Sequence, residues 1–148
     1  MKISRLTNIT LGVKDLNKAR EFYEAVLDTP PNTSTDDIVF IELPGTWLSL
    51  YSLEELAKDI SPDVPTTRAG FSGITLSHNV GSKDEVLAVI KRAKSAGADI
   101  VKEPQDVFWG GFSGYFADLD GHYWEVVWGP MFGFSENGEL RLKDNEKS

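Results

Sequence analysis

The chain has 148 residues, of which 41% are hydrophobic and 26% charged, and its formal net charge is −8. This composition is typical of one globular domain and excludes an intrinsically disordered chain. The absence of cysteine excludes disulfides and a cysteine nucleophile, and an acidic chain without a basic block argues against nucleic acid as a partner. No apolar run approaches the roughly 20 residues of a membrane helix, so we expect a cytoplasmic protein with no membrane partner.

The first half of the chain predicts a strand, a helix and a hairpin. Residues 6–13 alternate between apolar and polar side chains, which predicts a half-buried strand. Apolar residues then recur at helical spacing over residues 15–28, with Asp15 as the N-cap, which predicts an amphipathic helix. A polar loop follows at residues 32–37, and then two hairpin strands at residues 38–43 and 47–52. A short helix is predicted at residues 53–60 and a proline-containing linker at residues 61–70.

The second half predicts a similar series of elements. A strand at residues 71–79 is followed by Ser82 and Glu85, which have the spacing of a helix capping box. An apolar stripe then predicts a second helix that ends at Gly97. A short strand is predicted at residues 98–102, an aromatic loop with glycines at residues 104–111 and a last strand at residues 139–142. We expect the charged end after this strand to fray.

A strand–turn–strand segment at residues 114–128 carries an unexplained charge. Asp120 and Gly121 supply a tight turn, and the aromatic and β-branched residues after them favour a strand. Glu125 lies inside this apolar strand. A carboxylate there must be paired, bind a ligand or be neutralised, so Glu125 is a candidate ligand anchor, a candidate general base or a structural residue.

The chain also repeats itself. The triplet Ile9-Thr10-Leu11 returns as Ile74-Thr75-Leu76, and the segment at residues 40–45 returns 76 residues later at residues 116–121. Each half therefore has the order strand, helix, strand, strand, strand. We predict an α+β fold in which two such βαβββ modules form curved mixed sheets around a cleft, with the helices on the outer face.

Alternation along the strands predicts which side chains face this cleft. The positions that the repeat makes equivalent are Asn8, Ser49, Gly73 and Glu125. Residues of the same parity on the same strands extend this face. The complete set of predicted ligand-binding residues is Asn8, Thr10, Trp47, Ser49, Tyr51, Gly73, Thr75, Trp109, Tyr123 and Glu125, of which Glu125 is also the candidate catalytic residue.

Two segments resemble the vicinal oxygen chelate superfamily, which includes glyoxalase I, bleomycin-resistance proteins, fosfomycin-resistance transferases and extradiol dioxygenases. They are residues 9–16 leading into Phe22-Tyr23, and residues 115–125. The resemblance covers about residues 4–129. It implies a single domain spanning residues 1–148, with modules at about 4–60 and 70–129 and a tail at 130–148.

The resemblance implies that the enzymes of this superfamily bind a divalent metal ion through His or Glu side chains at four strand positions. Carried over, these positions are Asn8, Ser49, Gly73 and Glu125, of which only Glu125 is a good ligand. Neither His78 nor His122 is predicted to share the face of Glu125. We therefore expect no metal ligands and no cofactor. A divalent metal ion is the alternative, and the ligand set for it is incomplete.

Three functions compete on these observations. The first is a metal-free binding protein, as in the bleomycin-resistance branch, which holds a small aromatic or cationic molecule between cleft aromatics with Glu125 as anchor. The second is a glyoxalase-like metal-dependent lyase or isomerase that uses Glu125 as base or metal ligand. The third is a role carried by a homodimer interface, which the resemblance suggests, with Phe132 and Phe134 covering either a neighbour or the chain's own sheet edge. Cleft aromatics can equally be ordinary core residues.

Overall fold

A computed structural model describes residues 5–32 and 35–143. Three predicted segments extend beyond the described residues. They are the start of the first module at residue 4, residues 33–34 of the polar loop and the charged end at 144–148. The chain divides into two compact units, at residues 1–72 and 73–148. The predicted fold class is confirmed, since both units combine helices with curved, unclosed mixed sheets. No helix within the described ranges is long and apolar enough to cross a membrane.

The first unit places a helix against a small mixed sheet. Asp15 caps the helix by accepting a hydrogen bond of 3.0 Å from the backbone N–H of Lys18, as predicted. In the sheet, the first strand runs parallel to the third, which brings Thr10 opposite Ser49. The elements are β1 Asn8–Val13, α1 Leu16–Leu27, β2 Ile38–Ile41, β3 Trp47–Ser52 and α2 Leu53–Ile60, and the sheet order is β1-β3-β2.

The second unit has the predicted order of strand, helix and three strands. Ser82 caps the helix by accepting from the N–H of Glu85 at 3.1 Å. This helix packs on the central strands, and Phe116, Trp124 and Val126 are buried on that side. The elements are β4 Leu76–Asn79, α3 Lys83–Ser95, β5 Asp99–Asp106, β6 Phe112–Ala117 and β7 Tyr123–Trp128 in the order β4-β7-β6-β5, followed by a hairpin of β8 Phe132–Phe134 and β9 Leu140–Leu142.

Several predicted elements differ from the structure. Strand β4 begins at Leu76 and not at residue 71, because Gly73 adopts a φ of +83° that breaks extended structure. Strand β5 continues through Pro104 to Asp106, where a loop was predicted. This proline is tolerated because β5 is an edge strand whose pairing with β6 shifts on either side of Lys102. Within the described residues the first sheet has three strands and an isolated bridge from Asn32 to Phe40, one strand fewer than predicted.

Candidate functional site

Four polar residues lie side by side across the sheet of the second unit, and we call them the polar row: Lys102, Tyr115, Glu125 and Ser77. The β5–β6 pairing places Lys102 opposite Tyr115, and the β6–β7 hairpin places Tyr115 opposite Glu125. The parallel β4–β7 pairing places Ser77 opposite Glu125. Directly paired residues project from the same face of a sheet. The row therefore brings together an ammonium group, a phenol, a carboxylate and a hydroxyl.

Tyr115 and Glu125 form the centre of this row and interact directly. The two residues are directly opposite each other on β6 and β7 and line the same pocket. Burial raises the pKa of Tyr115 above its ordinary value of 10.0, and the charge of Glu125 and hydrogen bonding to its carboxylate raise it further. The phenol therefore keeps its proton at neutral pH, and it can give that proton only to a strong base.

Tyr115 and Glu125 open into a pocket of about 360 Å³ built within the second unit. Charged and polar groups line one part of it, and the β5–β6 loop contributes two aromatic side chains. A pocket with convergent polar groups and an apolar wall is the usual form of a small-molecule site. Its lining residues are Lys102, Gln105, Asp106, Val107, Phe108, Trp109, Ser113, Tyr115 and Glu125.

The loop that closes one side of the pocket is held in a tight turn. The N–H of Gly110 donates to the carbonyl of Val107 at 3.0 Å, and the N–H of Val107 donates to the carbonyl of Gly111 at 2.9 Å. Phe108 at the tip is fully exposed, whereas the Trp109 ring packs edge-on against Phe132 with 6.2 Å between ring centroids. The loop thus presents one free ring and one anchored ring at the pocket edge.

Trp109 depends on the absence of a side chain at Gly111. A Cβ atom built there would lie 2.2 Å from the indole ring. We predict that Gly111→Ala displaces the indole and lowers the free energy of unfolding by about 1–3 kcal/mol, the usual effect of overpacking. Tryptophan fluorescence of the folded variant, compared with the wild type, measures the displacement.

The matched control for this change is Gly133→Ala. A Cβ at Gly133 would come no closer than 3.5 Å to the Lys143 side chain, an ordinary contact. Its emission spectrum is expected to match the wild type. An unchanged spectrum in Gly111→Ala as well would contradict the seating of Trp109 over this glycine.

In the first unit, three of the predicted site residues form a hydrogen-bonded chain. The hydroxyl of the buried Ser49 donates to Asn8 Oδ1 at 2.7 Å, and Asn8 Nδ2 donates to Thr10 Oγ1 at 3.1 Å. The carbonyl oxygen of Asn8 is therefore directed at Ser49, and the amide group at Thr10. Of these three, Asn8 and Thr10 are exposed.

The other predicted site residues are distributed as follows. Trp109 and Glu125 line the pocket of the second unit, and Tyr123 has the same strand parity as Glu125. Gly73 and Thr75 are exposed and precede β4, so that Ser77, and not Gly73, lies opposite Glu125. Trp47 and Tyr51 lie on β3 in the first unit. A ligand-binding role for the whole set stays a prediction.

Both histidines lie away from the Glu125 carboxylate. His78 is paired with Val126 and faces the helix side, as expected, where burial and then the charge of Arg92 lower its pKa. His122 is part of the turn, and its N–H donates to Asp118 Oδ1 at 2.9 Å. In the described part of the chain, no three His, Cys, Asp or Glu residues come together as a metal-ligand group. With Asn8 bonded to Ser49 and no side chain at Gly73, the residues at the four family positions do not make a ligand set for a metal ion.

The model of the glyoxalase/bleomycin resistance protein/dioxygenase superfamily matches residues 5–126. The chain belongs to this superfamily. Its resemblance to the vicinal oxygen chelate proteins is thereby confirmed.

Individual relatives include resistance proteins and structurally characterised enzymes. The chain is 31% identical to the fosfomycin resistance protein FosX of Listeria innocua, over 98% of this chain and 99% of that protein. A glyoxalase-related enzyme from Fulvimarina pelagi superposes with a TM-score of 0.85 at 27% identity, covering 95% of this chain and 99% of the other. FosX from Listeria monocytogenes superposes with a TM-score of 0.67 at 27% identity, over 88% and 97% of the two chains.

These relatives correct two expectations. The expectation that the chain uses no cofactor is wrong, because FosX proteins are metal-dependent. The comparison also favours an enzyme over the metal-free binding protein that was the first hypothesis. Of the four family positions, only Glu125 has an acidic or imidazole side chain, and Asn8, Ser49 and Gly73 have none.

Proposed function

We propose that this protein is an enzyme that acts on a small electrophile of the fosfomycin type, with Glu125 as its general base. The observation that carries the proposal is the placement of Glu125. It lies in a pocket beside a protonated phenol, in a chain that matches FosX over nearly its whole length. Fosfomycin is a three-membered cyclic ether with a phosphonate group, so the reaction class is ring opening by an oxygen nucleophile.

The groups that line the pocket supply the polar contacts that such a reaction needs. The Glu125 carboxylate can accept a proton from an attacking water molecule as the new carbon–oxygen bond forms. Lys102, at the end of the polar row, offers a cation to the acidic group of the substrate. Phe108 and Trp109 offer apolar surface to its hydrocarbon part.

A glyoxalase-type lyase or isomerase is the second candidate. The superposition on the glyoxalase-related enzyme, with a TM-score of 0.85, favours it. The same carboxylate would then remove a proton from carbon next to a carbonyl group. Action in the cytoplasm and assembly as a homodimer stay predictions under either function.

The experiment separates the two candidates by their substrates. The purified protein is dialysed against Mn²⁺, Zn²⁺, Ni²⁺ or Fe²⁺ in turn and incubated with fosfomycin, and the phosphorus NMR spectrum is followed. A parallel series uses methylglyoxal with glutathione. We expect the fosfomycin resonance to be replaced by that of a ring-opened product with at least one of the ions.

Turnover of methylglyoxal and glutathione alone would replace the first function by the second. Turnover of neither substrate with any of these ions would overturn the proposal that Glu125 serves an enzyme of this class.

A further inference from the structure

We propose that the pocket selects an acid that carries an aromatic ring, a larger substrate than fosfomycin, and that Phe108 is the residue that selects it. This inference rests on the proposed function and names the substrate class of the same pocket. The acidic group of the substrate meets Lys102, and its ring contacts Phe108 and the indole of Trp109. Three features support this substrate class: the size of the pocket, its two aromatic side chains and the fixed base of its loop.

The pocket is larger than fosfomycin requires. Its volume of about 360 Å³ equals that of about 12 water molecules, at roughly 30 Å³ for each in the liquid. Sites for drug-sized ligands begin at about 300 Å³. Fosfomycin has only three carbon atoms and a phosphonate group, so it leaves much of the pocket empty. An aromatic ring in place of its methyl group would use the remaining volume.

The indole of Trp109 is a fixed wall of this pocket. Its ring packs edge-on against Phe132, and two glycines leave room for it. A Cβ atom would lie 2.2 Å from the indole at Gly111 and 2.7 Å from it at Gly129. Trp109 is nevertheless 36% exposed. Part of its surface is therefore open to a ligand although its position is set.

Phe108 is the free ring beside this wall. A single exposed phenylalanine is not unusual on a protein surface. Phe108, however, lines a pocket that also contains charged groups, and it is next to a second aromatic residue. Only the two torsions of its side chain have to be fixed when it contacts a ligand, so the entropic cost is small. An aromatic group is the ligand that stacks best on such rings.

The base of the loop is held by Lys83, at the start of α3. Its ammonium group pairs with Asp106 at 2.8 Å and lies 5.5 Å and 5.8 Å from the ring centroids of Phe112 and Trp128. Asp106 ends β5, Phe112 begins β6, and the two residues are paired. Both ends of the loop are thus tied to each other and to α3. The backbone that carries Phe108 is therefore preorganised, which lowers the cost of binding.

The binding test compares phenylphosphonate with methylphosphonate by isothermal titration calorimetry, on protein dialysed against the same ions as above. Neither probe has a cyclic ether, so affinity is measured without turnover. We expect the wild type to bind phenylphosphonate at least about tenfold more tightly, because its ring stacks in the pocket. Phe108→Ala should remove most of this preference. Lys102→Met should weaken both probes by similar factors, because both carry the same charged group.

Phe134→Ala is the matched control for the loss of a ring. Phe134 is 41% exposed, lies on β8 in the same unit and does not line the pocket. Its preference for phenylphosphonate should match that of the wild type. An equal loss of preference in both variants would overturn the role of Phe108, since exposed rings would then bind the probe without specificity. A wild type that binds both probes equally well would overturn the substrate class.

The turnover test uses fosfomycin and its analogue with a phenyl group in place of the methyl group. We expect kcat/KM to be at least about tenfold higher for the analogue, through a lower KM, and the ratio to fall in Phe108→Ala. A wild type that prefers fosfomycin would contradict this substrate class. If neither substrate is turned over but phenylphosphonate still binds with a preference that depends on Phe108, the proposed function fails and the selection of an aromatic acid stands.

Discussion

Replacing Glu125 by glutamine is expected to reduce fosfomycin turnover by about 10²–10⁴-fold, the usual contribution of a general base. Glutamine has nearly the same shape, and its amide oxygen can still accept the hydrogen bond from Tyr115. The pocket therefore stays intact, but the side chain can no longer take a proton from water. The measurement is kcat and KM for fosfomycin, with product followed by phosphorus NMR under the ion that gives the highest wild-type rate.

Glu103→Gln is the matched control for this substitution. Glu103 lies on β5 of the same sheet, is exposed and does not line the pocket. The change removes the same charge from the same sheet, so kcat is expected to match the wild type. Equal losses in the two variants would indicate a general effect of net charge, and Glu125 would then have no special role as a base.

The sequence was sufficient to find Glu125 because a short hairpin obeys simple geometry. The turn at Asp120 and Gly121 fixes which residues face each other, since positions equally far from its centre are paired. By this rule Tyr115 lies opposite Glu125, as the structure has it. The sequence therefore contained the signal for Tyr115, although the residue was not among the predicted site residues.

Lys102 could not be found in this way. Its pairing with Tyr115 follows from register shifts on both sides of it in β5, which strand alternation alone does not predict. Pro104 also led to the prediction of a loop in this region, because a proline argues against a strand unless that strand is known to lie at the edge of a sheet. Four further pocket residues lie at the end of β5 and in the loop, and they were missed for the same reason: Gln105, Asp106, Val107 and Phe108. Ser113 lies on β6 with the same parity as Tyr115, so the hairpin rule also locates it.

The repeat predicts two modules with Asn8 and Gly73 at equivalent positions, and the structure pairs other residues on these strands. Matching the two Ile-Thr-Leu triplets made Gly73 the partner of Asn8. In the structure the second triplet lies mostly before β4, and the parallel pairings are Thr10 with Ser49 and Ser77 with Glu125. Contacts between neighbouring strands set the register, and a three-residue identity carries too little information to override them.

The largest expected effect on stability is that of Phe116→Ala, at about 3–5 kcal/mol of the free energy of unfolding. Phe116 is only 1% exposed, and its ring stacks on Trp124 with 6.0 Å between centroids and 5° between planes. Helix α3 packs over the same two strands. Removing the ring therefore leaves a cavity between helix and sheet that the rigid strands cannot fill. Urea denaturation followed by circular dichroism measures the loss.

Phe108→Ala removes the same ring from a position where it is fully exposed, and it is the matched control. Its unfolding free energy is expected to stay within about 0.5 kcal/mol of the wild type, as for surface substitutions in general. Phe116 and Tyr115 are neighbours on β6 and face opposite sides of the sheet, so the core ring fixes the strand that carries Tyr115 at the pocket. A loss of less than about 1 kcal/mol in Phe116→Ala would contradict this view, because the ring would then not be part of a close-packed core.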